Sequence, residues 1–168
     1  MRKIIIALMA VLMTAGIASA QNYMVVDSEK VFKSITEYND ALEQIEKLAT
    51  QYQKEVDAKF ANVEKMYNSY MQQRASLSLS AQQQQEQLIL QREAEATEYQ
   101  ESLFGSDGEL MKRRISLIQP IQERVFNTIE SFSKQYGYDL VIDISANPTI
   151  LYYSTKVDFT ERIIEALK

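Results

Sequence analysis

From Ile35 to Leu77 the chain runs without a single Gly or Pro, and its apolar residues recur at steps of three and four, the spacing of one face of an amphipathic or coiled-coil helix. One long helix satisfies both facts. Its stripe is Leu42, Ile45, Ala49, Tyr52, Val56, Phe60, Val63, Tyr67, Tyr70 and Leu77. At 1.5 Å per residue such a helix reaches roughly 60 Å, about twice the width of a small domain. It therefore has to project, and a stripe this rich in Ala and Tyr makes a weak seam that leaves apolar surface open to a further contact.

The pattern breaks between Ser76 and Ala81, where Ser78 or Ser80 can cap a returning helix carrying Leu88, Arg92, Ala96, Tyr99 and Leu103. The two helices form an antiparallel hairpin. Gly105-Ser106-Asp107-Gly108 interrupts the return at the level of the middle of the outgoing helix. No Lys-Ser/Thr follows these glycines, as a phosphate loop requires, and the alternating carboxylates of a calcium loop are missing. Gly105 and Gly108 are instead read as a hinge. Each costs roughly 1 kcal/mol relative to Ala inside a helix, so replacing both with Ala is expected to raise helicity. Beyond the break, Leu117, Ile118, Ile121, Val125, Ile129, Phe132 and Tyr136 form a dense apolar face, and Gly137 stands where a left-handed residue would end the helix.

The ends of the chain supply short strands. Tyr23-Met24-Val25-Val26 is one, followed by Asp27 and Ser28 as helix-capping oxygens; Leu140–Ile144 is a second; Asn147-Pro148 marks a turn before a third at Ile150–Tyr153. In the closing helix Asp158 and Glu161 have capping-box spacing, and Phe159, Ile163 and Leu167 share a face. The fold class is α+β: a long antiparallel helical hairpin, a coiled-coil-like arm over residues 35–118, projecting from a small β-body made of 21–34 and 119–168. A sheet this small leaves open edges and apolar residues poorly covered, so Met24, Val26, Leu140 and Ile142 are candidate oligomerisation residues.

Cys, His and Trp are absent, which removes disulfides, thiolate nucleophiles, imidazole bases and most zinc sites together. A carboxylate enzyme using two of Asp27, Glu29, Asp143 and Asp158 is the remaining catalytic reading. Those positions are explained more simply as strand ends and helix caps, so the chain is not expected to be an enzyme or to hold a cofactor or metal. Arg2 and Lys3, the apolar run Ile4 to Ile17 and Ala18-Ser19-Ala20 form a cleaved export signal over residues 1–20. The formal charge is −5 at pH 7, and loss of the signal leaves the exported chain more acidic still. Nucleic acid is not an expected partner, because binding it needs a basic face.

Several stretches, read together, carry a resemblance. They are Val25-Val26-Asp27-Ser28-Glu29-Lys30-Val31-Phe32, Pro120-Ile121-Gln122, Tyr136-Gly137-Tyr138-Asp139-Leu140-Val141-Ile142-Asp143, Ile150-Leu151-Tyr152 and Asp158-Phe159-Thr160. From Tyr23 to Lys168 the chain resembles the Skp/OmpH family of periplasmic chaperones, in the branch with a glycine interruption in the returning arm. The resemblance implies a jellyfish-like homotrimer whose strands build a shared β-body and whose hairpins enclose a cavity carrying unfolded outer-membrane proteins without ATP. It implies periplasmic localisation. Well-known members are basic, whereas residues 35–104 here hold twelve Asp/Glu against six Lys/Arg, which argues against electrostatic capture of lipopolysaccharide or a membrane surface. Met66, Tyr67, Tyr70, Met71 and Tyr99 are the candidate client-binding residues, since Met is adaptable and Tyr is amphipathic with little rotamer freedom to lose. The competing class is a structural coiled-coil spacer of the envelope, which would show tighter Leu/Ile seams.

Overall fold

The computed structural model describes residues 22–145, 147 and 149–168; the predicted export signal and the Pro148 half of the predicted turn lie outside the described residues. In chain order the elements are β1 (Tyr23–Val26), α1 (Ser28–Lys33), α2 (Thr36–Gln73), a 3₁₀ turn (Arg74–Ser76), α3 (Leu79–Phe104), α4 (Glu109–Tyr136), β2 (Leu140–Asp143), a second 3₁₀ turn (Thr155–Val157) and α5 (Thr160–Ala166). They fall into two compact units, one of the described residues up to Ser34 with Val125–Lys168, the other of Ile35–Arg124. No helix among the described residues is long and apolar enough to cross a membrane.

In the first unit β1 lies parallel to β2, with Tyr23 opposite Leu140 and Val26 opposite Asp143. Its other edge receives the Phe159 amide, which donates to the Val25 carbonyl at 3.0 Å. With both edges engaged and α5 packed on the strand, Met24, Val25 and Val26 are all buried. An all-apolar run is the pattern of a strand covered on both faces, where alternation disappears. Val31, Val125 and Ile163 complete this core. A ring cluster extends it: Phe159 lies 5.9 Å from Phe132 and 4.9 Å from Tyr138, and the Arg162 guanidinium stands 5.2 to 5.4 Å from the rings of Phe132, Tyr136 and Phe159.

The caps follow the local chemistry. Asp27 Oδ1 accepts from the Lys30 amide at 2.9 Å and starts α1. Gly137 has φ +74°, and the Tyr138 amide reaches back to the Ser133 carbonyl at 2.9 Å, which closes α4 in a Schellman turn. The predicted Asp158/Glu161 capping box does not form. Asp158 Oδ1 instead accepts from the Thr160 amide and hydroxyl at 3.0 and 2.6 Å, α5 begins one residue later than the box requires, and Glu161 pairs with Lys30 at 2.5 Å. Phe159 and Ile163 are buried and Leu167 is half-buried, as their spacing predicts.

The predicted strand at Ile150–Tyr153 is also absent. Both edges of β1 are occupied, and 150–153 does not reach β2, so an extended segment with strand-like composition has no ladder partner in its own chain. Leu151 and Tyr152 stand 94% and 85% exposed.

In the second unit α2 spans 38 residues, about 57 Å. It pairs with α3, whose start is capped by Ser78 Oγ accepting from the Ala81 amide at 3.3 Å. Along the seam Val56 and Tyr70 of α2 are buried, with Ile89, Ala96 and Leu103 of α3 spaced by sevens, and Ala41 and Ile45 are buried nearer the start of α2. Two stripe assignments change by one residue: Leu42 and Leu88 are exposed while Ala41 and Ile89 turn inward.

Thr160 is buried, and its hydroxyl accepts from the Asp27 amide at 2.9 Å. Thr160→Val keeps the shape and removes that acceptor, so the buried amide loses its partner. We expect a loss of about 1–3 kcal/mol in chemical denaturation; an unchanged midpoint would mean the amide finds another acceptor.

Candidate functional site

The hairpin separates the five predicted contact residues into two groups. Tyr70 is only 6% exposed, and its hydroxyl donates across the seam to the Glu86 carboxylate; the Arg74 guanidinium lies 3.8 Å from that carboxylate and 6.0 Å from the Tyr70 ring. Tyr99 is half-buried and donates to Glu55 at 2.5 Å, while Lys59 Nζ lies 4.5 Å from the ring centroid. These two tyrosines are clasps between α2 and α3. Glu43 and Lys47, one turn apart on α2, pair at 2.5 Å. Glu55 and Lys59 have the same spacing but do not pair, because the Tyr99 phenol donates to Glu55 and its ring offers Lys59 a π-face.

Tyr67 and Met71 form the other group, 50% and 47% exposed, one turn apart on the same side of α2. Met66, the residue before Tyr67, is half-buried and lines two shallow cavities of about 300 Å³, one with Lys65, Tyr70 and Leu77, the other with Lys59, Leu88 and Arg92. Tyr67 lines a larger groove of about 640 Å³, with Phe60, Val63 and Ile89 as its apolar lining and Asp57, Glu64 and Glu93 beside them. The sequence stripe contained Phe60 and Val63 but not Ile89; the signal for Ile89 is its seven-residue spacing to Ala96 and Leu103.

Of the four candidate oligomerisation residues, Met24 and Val26 are buried within their own chain, which corrects the expectation that they are poorly covered. Being sandwiched between β2 and the Asp158-Phe159 segment buries them. Leu140 is 55% exposed and Ile142 half-buried on β2, which among the described residues pairs with β1 alone. That free edge lies in the same unit as the exposed Leu151 and Tyr152.

The four carboxylates considered for catalysis hold structure. Asp27 caps α1, Glu29 pairs with Lys33 at 2.5 Å, and Asp158 closes the turn before α5. Desolvation pushes the Asp143 carboxyl up, but hydroxyl and amide donors of Ser28 and Ser145 outweigh it and hold it below its usual 3.8. A general acid needs the opposite shift. Among the described residues no group of three or more His, Cys, Asp or Glu could hold a metal.

Gly105 and Gly108 sit in a compact turn with bonded amides. The Gly105 amide donates to the Glu101 carbonyl at 2.8 Å, and the Gly108 amide to the Gly105 carbonyl at 3.0 Å. A Cβ on Gly105 would stand 2.5 Å from the Glu101 carbonyl oxygen, and one on Gly108 would stand 2.7 Å from that of Leu103. The expectation that Ala simply raises helicity is therefore corrected: in this turn the glycines answer a close backbone approach, and Ala collides. The turn does lie level with mid-α2, since Phe104 meets Tyr52 edge-on at 6.4 Å.

A small parallel sheet whose central strand binds both flanks of a chain-long excursion, with a thin-seamed helical hairpin, defines an α+β hairpin class. The family model for outer membrane protein (OmpH-like) matches residues 22–167, and the chain belongs to that family. Its fold is similar to the crystal structure of a candidate outer membrane chaperone (OmpH-like) from Caulobacter crescentus CB15, with a TM-score of 0.68 at 10% identity over 89% of this chain and 85% of that one. No curated protein matches the chain.

The clasps set a pH window. Glu55 is held below its usual 4.5, first by the Tyr99 hydroxyl and then by the Gln51 amide, so its contribution is present above 4.5 and is lost as pH falls through the lowered folded value. Tyr70 and Tyr99 are raised above 10.0, first by their hydrogen bonds to Glu86 and Glu55 and then by desolvation. Their contribution is present below 10.0 and is lost as pH rises through the raised values. Thermal melting across pH should therefore fall at both limits, and Tyr99→Phe should shallow both slopes. Wild-type slopes in the variant would show that the Tyr99–Glu55 contact contributes nothing.

Proposed function

We propose that the protein is an ATP-independent periplasmic holdase for unfolded outer-membrane proteins. The carrying observation is the hairpin surface: Tyr67, Met71, Leu79 and Leu90 are exposed along two helices whose seam already has its own buried residues. Large apolar side chains left open on a soluble surface are suited to transient contact with unfolded chains. Family membership supports the chaperone reading, as does the candidate chaperone fold of the Caulobacter protein. The N-terminal pattern of Arg2-Lys3, apolar run and Ala18-Ser19-Ala20 supports export. Residues 35–118 act as the client arm, with Tyr67, Met71 and Met66 touching clients and Tyr70 and Tyr99 holding the surface that presents them. The Gly105–Gly108 turn is where that arm flexes.

Residues 21–34 and 119–168 act as the assembly unit of a homotrimer. The open edge of β2, exposed Leu140 and the unpaired Ile150–Tyr153 segment support this, because each offers backbone or apolar groups that a neighbouring copy can cover. Leu140→Asp should leave the helical content of the chain intact and convert the trimer to monomer in sedimentation; a stable trimer would remove β2 from the interface.

The chaperone reading is tested by diluting a denatured outer-membrane β-barrel into the purified protein without nucleotide and following light scattering. Suppressed scattering is expected. Unchanged scattering would favour a structural spacer.

A further inference from the structure

The groove of about 640 Å³ beside Tyr67 combines two features. Phe60, Val63, Tyr67 and Ile89 give it an apolar, aromatic lining, and three carboxylates, Asp57, Glu64 and Glu93, stand around that lining. Among the described residues none of the three is in an ion pair, and Asp57 accepts only the neutral Gln53 amide at 2.8 Å. Of the neighbouring cations, Arg92 pairs with Glu95 at 2.7 Å and Lys59 lies over Tyr99, while Lys54 and Lys65 make no ion pair with the three carboxylates. The three carboxylates around the groove are thus left without an ion pair among the described residues.

We infer that this groove selects segments of unfolded polypeptide in which Lys or Arg alternates with aromatic or large apolar residues. The inference rests on the holdase reading and specifies which part of a client the hairpin holds. Asp57 and Tyr67 are ten residues apart, about 15 Å along the helix axis, which matches four or five residues of extended chain. A neutral apolar segment laid there would strip water from carboxylates without replacing it, and an acidic segment would be repelled. A Lys or Arg side chain packs its stem on Phe60 and Tyr67 and brings its cationic head to the rim. The client's apolar side chains take the floor. Acidity of the arm, which argues against anionic lipid, thereby becomes the basis of its choice among protein segments.

The test uses the full exported chain and two short fluorescent peptides of equal Phe, Leu and Tyr content, one with Lys and one with Glu at the intervening positions, followed by anisotropy. Exposed ion pairs change affinity by about 1.5- to 5-fold each, so with up to three of them the Lys peptide should bind about tenfold more tightly at low salt. Much of that preference should vanish in about 1 M salt, where screening acts over ~3 Å. The Glu64→Gln/Glu93→Gln variant keeps the groove's shape and should lose most of the preference, binding the Lys and Glu peptides with nearly equal affinity. Equal binding of the two peptides, or a preference that survives in the variant, overturns the groove assignment and leaves the holdase reading standing if aggregation is still suppressed. Absence of both peptide binding and aggregation suppression overturns the two together.

Discussion

β1 is four residues long, and the rest of the sheet unit is built from what it joins. Its own ladder runs to β2, its far edge takes the Phe159 amide, and just beyond it the Asp27 and Ser28 amides bond Thr160 and Asp143 across 133 and 115 residues of chain. Closing so long a loop costs only slightly more than closing a shorter one, because the entropy grows with the logarithm of length. The long excursion between the strands is therefore tolerable, provided the meeting point is buried well enough to hold. Met24, Val25 and Val26 meet that condition with every side chain covered. Among the described residues no third strand joins β1 and β2, and the outer edge of β2 stays open.

The hairpin works on the opposite economy. Its buried strip uses small or isolated apolar residues, Ala41 and Ala96 among them, and depends on polar cross-links for register. Tyr70 to Glu86 and Tyr99 to Glu55 pin α2 against α3 at two levels, and Phe104 on Tyr52 adds an edge contact near the glycine turn. A seam this narrow cannot cover the remaining apolar residues. Tyr67, Met71 and the lining of the groove are consequently available to a partner without any rearrangement of the hairpin's own packing. The same residue type thus serves two purposes: Tyr70 and Tyr99 bond carboxylates across the seam, and Tyr67 remains on the surface.

Local signals carried much of this into view. A run free of Gly and Pro with three- and four-residue apolar steps is enough to specify a helix, because that periodicity builds a single stripe whatever it faces. Ser78, Asp27 and Gly137 were legible as caps for the same reason: each satisfies or terminates a helix end through atoms within a few residues. The strand Tyr23–Val26 and the start of β2 were legible from composition. What the sequence alone determined is therefore the α+β class, the long helices and where they start and stop, all of which depend on interactions of short range along the chain. Tertiary structure decided the rest. It chose Ala41 over Leu42 and Ile89 over Leu88, turned Tyr70 and Tyr99 inward while leaving Tyr67 out, moved Glu161 from a cap to Lys30, and denied Ile150–Tyr153 a ladder. Each of those outcomes depends on which group stands opposite, and periodicity reports only the face a residue occupies, never the partner that face meets.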